Sequence, residues 1–431
     1  MVILKLYDST MFMIYMALGI HASSVIVEND GYFVTGTTAG SSGSNRKLAL
    51  MKIDLNGNLL WRKNHSMTNA NFYDGSGPDR FVRTFDSCYV FAGCLYGING
   101  QDVVLIKFNR QGDTLWQKTY GDSILDWWGY QCKETIDKGF IIVGTANVST
   151  SNTDLLMIKT DSLGNFQWKK TINFTQEVGT CVICTNDGGF LIGGTKQSGA
   201  YNYGWIVKTD SLGNISWQTT LGGLYGSNIL SVAKTLDGNY IACGFLSNTS
   251  NGSFDFNQGL VLKIASNGTI IWQKLYGRPS PATAFPSVDV LLDSTYILAG
   301  ANGYDQFSGY DFSGFVVKID ANGDSLWGRV FDKYGTGTTD KFSKIKRTPD
   351  NGFILAGDFF PNYQDMWVVK LDSLGCDSIG CISTGIANIT IPNEELLLYP
   401  NPFSTNITIS SSSNLLKEIS VYNVMGQLNY K

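Results

Sequence analysis

Leu155-Leu156-Met157-Ile158-Lys159-Thr160-Asp161-Ser162-Leu163-Gly164-Asn165-Phe166-Gln167-Trp168 is one copy of a pattern that returns through most of the chain. In each copy a lysine stands five residues before a glycine, and a tryptophan four after it. The tryptophans are Trp61, Trp116, Trp168, Trp217, Trp272 and Trp327, and their glycines are Gly57, Gly112, Gly164, Gly213, Gly268 and Gly323. A seventh copy keeps Lys370 and Gly375 but has Ile379 in the tryptophan position. A second motif runs in phase, as in Asn186-Asp187-Gly188-Gly189-Phe190, with an aromatic followed four residues later by glycine. Its aromatics are Tyr32, Tyr89, Phe140, Phe190, Tyr240, Tyr296 and Phe353. Both motifs count to seven at a period of about fifty residues, and self-similarity of that kind decides architecture before any single motif does.

Each period reads as four short strands and no helix. Residues 180–185 and 190–194 are strands about an Asp-Gly-Gly turn, and 155–159 and 166–171 are strands about Asp161-Ser162-Leu163-Gly164-Asn165. Glycine, Asp and Asn supply the positive φ that such hairpins need. Four antiparallel strands repeated seven times predict an all-β, seven-bladed β-propeller over residues 1–375, one blade per repeat. A β-solenoid is the rival, but its units are shorter and lack two hairpin turns each.

The last repeat lacks its fourth strand. Ile3-Leu4-Lys5-Leu6-Tyr7 shares Lys-Leu-Tyr with Lys274-Leu275-Tyr276, so residues 2–7 are expected to complete that blade, pair with residues 366–372 and remove an open edge. The competing reading takes Met11 to Ile20 as the apolar core of a signal peptide cleaved after Ala22, although its charged region is poor. No other stretch is long and apolar enough to span a membrane.

The pattern stops at Gly375. A Ser/Thr/Asn-rich linker over 376–394 leads to Tyr399-Pro400-Asn401-Pro402-Phe403 and Val421-Tyr422-Asn423-Val424-Met425-Gly426-Gln427. These pieces over 395–431 resemble the type A C-terminal sorting domain of the type IX (Por) secretion system of Bacteroidetes. The resemblance implies a small β-sandwich, export to the cell surface or beyond, and the type IX machinery as a partner. It places the sorting motif at Tyr399, Pro400, Asn401, Pro402, Gly426 and Gln427. Family members usually continue for further strands, so a partial domain is expected. The propeller repeats in turn resemble uncharacterised exported propellers that carry this domain. The tryptophan motif also resembles the docking motif of quinoprotein propellers. Its Asp-to-Gly spacing is one residue shorter, as in Asp161 to Gly164, and no adjacent cysteine pair exists; the resemblance implies a packing role for the tryptophans and no quinone.

Composition narrows the chemistry. Of 431 residues 43% are hydrophobic and 16% charged, with a net charge of −4, which suits neither a disordered chain nor a nucleic-acid binder. His21 and His65 are the only histidines, so histidine-rich metal sites are poor expectations. Cys181 and Cys184 have zinc-like spacing but no second pair, and Cys243 fills a slot that is Ala299 or Ala356 elsewhere. Cys376 and Cys381 flank a short loop and are a candidate disulfide in an exported protein. Turns such as Asp320-Ala321-Asn322-Gly323-Asp324 are too short for a calcium cage. No metal or cofactor is expected. The lysine column invites a functional reading, but Asp54, Asp161, Asp210, Asp320 and Asp372 follow two residues on, which predicts local pairing or turn roles. No nucleophile elbow, zinc-protease helix or phosphate loop is present, though carboxylates from distant loops would leave no spacing signature.

Strand alternation puts the first-to-second and third-to-fourth turns, short and nearly invariant, at one end of the ring. The second-to-third and blade-to-blade loops lie at the other end, vary in length, and carry aromatics that do not repeat. Tyr73, Trp127, Trp128, Tyr201, Tyr203, Tyr304, Asp305 and Tyr310 are the candidate ligand-binding residues, since rings beside amides and carboxylates suit sugars or peptides. The expected function is a non-enzymatic binding module for an extracellular glycan or protein. A polysaccharide hydrolase or lyase with its site in the central pocket is the alternative, and a scaffold without ligand is the third reading.

Overall fold

A computed structural model describes residues 12–377 apart from 17–19, 39–45, 67–70, 74–79, 98–99, 122–125, 150–151, 222–225, 248–256, 278–282, 304–311, 332–339 and 360–364, and four short strands beyond. Among these residues there is no helix. Seven antiparallel sheets carry the repeats, each in strand order first to fourth. The first strands (Ile20–Glu28, Phe81–Arg83, Trp127–Glu134, Glu177–Cys184, Ser227–Lys234, Thr283–Val290 and Lys341–Arg347) contact one another in sequence and close the ring around the axis. The chain is a seven-bladed propeller. In the second blade the first strand is split, with Asn71–Tyr73 and Phe81–Arg83 both paired to Tyr89–Gly97.

The core consists of seven apolar clusters, one at each blade-to-blade interface. Second and third strands are apolar on both faces because each sheet is sandwiched between two neighbours. Every column tryptophan lies opposite its repeat's lysine and reaches onto the next blade. A methyl group on Gly112, Gly164, Gly213, Gly268 or Gly323 would lie 2.6 to 3.1 Å from the indole of the preceding blade. Trp217 Nε1 donates to Ser266 O at 3.1 Å, and Trp272 Nε1 to Ala321 O at 3.1 Å. The glycine and tryptophan of the motif are therefore two halves of a lock between successive blades. Trp327 is buried and the other five are half-buried.

The lysines pair differently from the sequence expectation. Each reaches across its own sheet to the Asp of the first-to-second turn, in Lys52–Asp30, Lys107–Asp86, Lys159–Asp137, Lys208–Asp187, Lys263–Asp237, Lys318–Asp293 and Lys370–Asp350, at 2.6 to 3.2 Å. The Asp two residues on instead ties the third-to-fourth turn: Asp161 Oδ1 accepts from Leu163 N and Asn165 N at 2.9 and 2.8 Å. Residues i and i+2 of a strand share a face, but here the second has already left the strand and bends into the turn.

The strand that completes the seventh blade is Phe12–Met16, which pairs with Asp365–Leu371 from Phe12↔Lys370 to Met16↔Met366. The ring does close through the N-terminal segment, but not through the expected residues 2–7, which lie outside the described residues. Phe12 stands opposite Lys370 as each tryptophan stands opposite its lysine, so Phe12–Met16 holds the fourth-strand register that the Lys-Leu-Tyr identity gave to residues 2–7.

Cys376 is disulfide-bonded, whereas Cys88, Cys94, Cys132, Cys181, Cys184 and Cys243 are thiols outside any disulfide; Cys381 lies outside the described residues. Beyond the linker, Leu396–Tyr399 pairs with Thr408–Ser411 and Val421–Tyr422 with Leu428–Tyr430. No described helix is long and apolar enough to cross a membrane.

Candidate functional site

The innermost strands build the centre of the ring in tiers. Ser24, Gln131, Cys181, Ser231, Ser287 and Lys344 occupy equivalent positions just after a β-bulge, and Arg80 stands at the same level in the split strand. All seven are buried, so the inner strands are packed against their neighbours at this waist. The belt is also stitched from blade to blade: Val182 N donates to Gln131 Oε1 at 2.5 Å, Ile345 N to Ser287 Oγ at 3.2 Å, and Arg80 Nη1 to Gly129 O at 3.4 Å.

Above the waist, toward the variable loops, register places one residue per blade on a common ring. His21, Tyr73, Trp128, Val178, Asn228, Ala284 and Lys341 pair with Thr37, Cys94, Thr145, Thr195, Phe245, Ala301 and Asp358. His21, Trp128, Val178, Asn228, Ala284 and Lys341 are all half-buried, which makes the mouth a cup above the buried waist. Tyr130, at the bulge between this ring and the waist, is half-buried too, with the Arg80 guanidinium 5.7 Å from its ring centre. A bulge turns the unpaired residue's side chain out of the ladder, so Tyr130 joins the cup. Asn228 Oδ1 is buried and has no hydrogen-bond partner among the described residues.

One sector of the cup is ionic. Asp358 is fully buried; its Oδ1 accepts from Ala22 N at 2.9 Å, and its Oδ2 lies 2.5 Å from His21 Nδ1 and 3.7 Å from Lys341 Nζ. This cluster spans the seam between the last blade and the first.

The sequence candidates divide accordingly. Trp128 and the backbone position of Tyr73 meet on the cup ring. Trp127 does not: it is 6% exposed and packs into the core between the second and third blades, with Lys169 Nζ 4.2 Å from its ring centre. Adjacent residues of a strand face opposite sides, so the two tryptophans could not both line the cup. Tyr201 and Tyr203 are half-buried on a third strand, farther from the axis, their rings 6.4 Å apart edge to face. Beside them Phe174 is exposed, with Lys196 Nζ 3.9 Å from its ring centre. Tyr304, Asp305 and Tyr310 lie outside the described residues.

Sequence reasoning missed His21, Tyr130, Lys341 and Asp358. A signal for Asp358 was present, since the residue after the repeat's second-strand glycine is Thr, Cys, Thr, Thr, Phe and Ala in six blades and Asp in the seventh.

The tight-turn end has concavities of its own. A cavity of about 450 Å³ is lined by Val25, Phe81, Val82, Phe85, Arg83, Lys133, Glu134, Lys346 and Arg347. Several of its charges are engaged: Arg83 with Glu28 at 3.2 Å, Lys346 with Asp289 at 2.9 Å, and Glu134, whose carboxylate accepts from Phe85 N at 2.6 Å. A second, of about 250 Å³, holds the Lys208–Asp187 pair.

Residues 397–431 match the secretion system C-terminal sorting domain. The chain carries a type IX export signal. That sorting domain marks the propeller for the cell surface or the extracellular space and implies contact with the type IX secretion machinery. No functionally curated protein matches the chain. Among solved structures, the polysaccharide lyase Uly1 is similar with a TM-score of 0.50 at 10% identity, over 82% of this chain and 90% of that one. A protein of unknown function from Dyadobacter fermentans gives 0.49 at 14% identity, over 86% and 99%. Another from Bacteroides caccae gives 0.42 at 12%, over 72% and 96%. At such identities the likeness is one of fold.

Proposed function

We propose that the exported propeller binds a polysaccharide chain in the cup at the variable-loop mouth of its channel. The observation that carries this reading is the common register of Trp128, Tyr73, His21, Asn228 and Lys341 on one ring above a packed waist. A flat indole gives a sugar ring contact area, and the charged groups of His21 and Lys341 beside it meet its hydroxyls and any acidic substituent.

Affinity electrophoresis against neutral and acidic polysaccharides tests the proposal. Trp128→Ala should lose retardation while keeping its unfolding midpoint. Equal retardation of wild type and Trp128→Ala, or none by wild type across the panel, would overturn it. A second reading, catalysis at this cup, is favoured by one observation, the His21–Asp358 pair.

A further inference from the structure

Asp358 is the one carboxylate at its register position in the seven blades, and it lies under the cup. We propose that His21, Lys341 and Asp358 form a proton-transfer site that cleaves uronate-containing polysaccharide by β-elimination; this rests on the polysaccharide reading of the cup. The geometry assigns the roles. An ionised carboxylate only accepts hydrogen bonds, so the His21 nitrogen facing Asp358 Oδ2 at 2.5 Å carries the proton. In its neutral form the ring is then the Nδ1–H tautomer, and Nε2 is the nitrogen that takes a proton. Asp358 is fully buried and held through its other oxygen by Ala22 N, so it positions the imidazole and does not meet substrate. Lys341 Nζ stands 3.7 Å from the same carboxylate, which keeps an ammonium beside the imidazole. The side chains of His21 and Lys341 are 21% and 40% exposed, so both are open to a ligand in the cup.

A base next to a cation is the arrangement that removes a proton adjacent to a carboxylate. The cation offsets the charge that moves onto the carboxylate as the C–H bond breaks, which is the costly part of that step. A uronate residue carries such a proton on C5. His21 Nε2 takes it, the C5–H electron pair forms the C4=C5 double bond, and the C4–O glycosidic bond breaks. The imidazolium returns the proton to the departing oxygen, so the step closes without a co-reactant and regenerates the base. Glycoside hydrolysis by two carboxylates fits less well. The buried pair Asp154 and Glu177 lies at the third and fourth blades, and Glu177 is already occupied by Phe174 N and Thr175 N at 3.0 and 2.8 Å.

The test uses the full chain with polygalacturonate, alginate and hyaluronan, and dextran as the neutral control. The ultraviolet absorbance of the unsaturated uronate reports elimination, and affinity electrophoresis on the same polymers reports binding. Wild type should generate the chromophore from at least one uronate polymer and none from dextran. His21→Asn should lose about 100-fold or more in kcat, far more than any loss of binding on the same polymers. Lys341→Met should raise KM as well as lower kcat. Asp358→Asn should lower kcat at unchanged KM; because it also ties two blades together, the first two variants carry the test if it fails to fold. Binding of a uronate polymer without unsaturated product overturns the inference and leaves the binding reading standing. No binding overturns both. Elimination that survives His21→Asn places the base elsewhere and overturns the assignment.

Discussion

Adding one methyl group at Gly268 should loosen the joint between the fourth and fifth blades. Gly268 has φ +92°, and a Cβ there would lie 2.6 Å from Trp217 Cε3 and 2.8 Å from Cδ2. Gly268→Ala therefore carries two costs. Left-handed backbone costs an L-residue about 1–2 kcal/mol. Displacing the indole forfeits the Trp217 Nε1 bond to Ser266 O, about 1 kcal/mol, and part of the ring's packing, about 1 kcal/mol more. Gly238 separates these terms, because it has φ +81° in the same blade and nothing within 4 Å of its would-be Cβ. Gly238→Ala should show the backbone cost alone, and Gly268→Ala about 2 kcal/mol beyond it. Urea denaturation at unchanged slope measures both. In a Trp217→Ala background the extra cost should vanish, as coupled neighbours require. Equal midpoints for the two glycine variants, or an undiminished cost without the tryptophan, would refute the lock.

Trp127→Ala should cost about 3–5 kcal/mol in unfolding free energy, because Trp127 is core, whereas Trp128→Ala should move the midpoint little; parallel denaturation of the two variants decides. Acid should weaken the propeller. Hydrogen bonds from Lys208 and Thr185 hold the Asp187 carboxyl well below the usual range, and the hydrogen bond from Lys52 lowers that of Asp30. Asp86, Asp137, Asp237, Asp293 and Asp350 are lowered as well. A folded value below the unfolded one, about 3.9, gives stability that is present above it and lost as pH falls through the folded values. Melting temperature should then be level from about pH 7 to 5 and drop below about pH 4; a flat profile through that drop would count against the pairs. Peptide mapping without reductant should find Cys376 joined to Cys381 and the other six cysteines as thiols.

The architecture was legible because the repeat states it seven times. Gly164 and Trp168 recur at fixed spacing, and a propeller is what such spacing builds. What the spacing could not show is that the partners belong to different copies: Trp116 docks on Gly164, and Trp168 on Gly213. The lysines misled for a related reason. Lys159 lies two residues from Asp161 in sequence, yet it pairs with Asp137 across the sheet. Proximity along the chain is a poor guide once strands stand side by side. Of the site, Trp128 was readable as an aromatic outside the repeat. Its neighbour Trp127 looked the same by that criterion, and only strand parity separates them. His21 was hidden because its surroundings also read as the end of a leader. Its partner Asp358 is more than three hundred residues away, a distance that no local motif bridges.

The pairing of Phe12–Met16 with Asp365–Leu371 also orders events in time. Every other strand pair of the ring joins segments close in sequence and can form as soon as its own repeat exists, whereas this one must bring together the two ends of the ring. It is therefore expected to be the last and slowest step of folding. Until it occurs, the strand Asp365–Leu371 presents an unsatisfied edge that accepts any extended segment. Two chains caught at that stage can each lend the other its first strand. Crowded, unfinished molecules would then exchange ends and assemble as pairs or strings instead of closed rings.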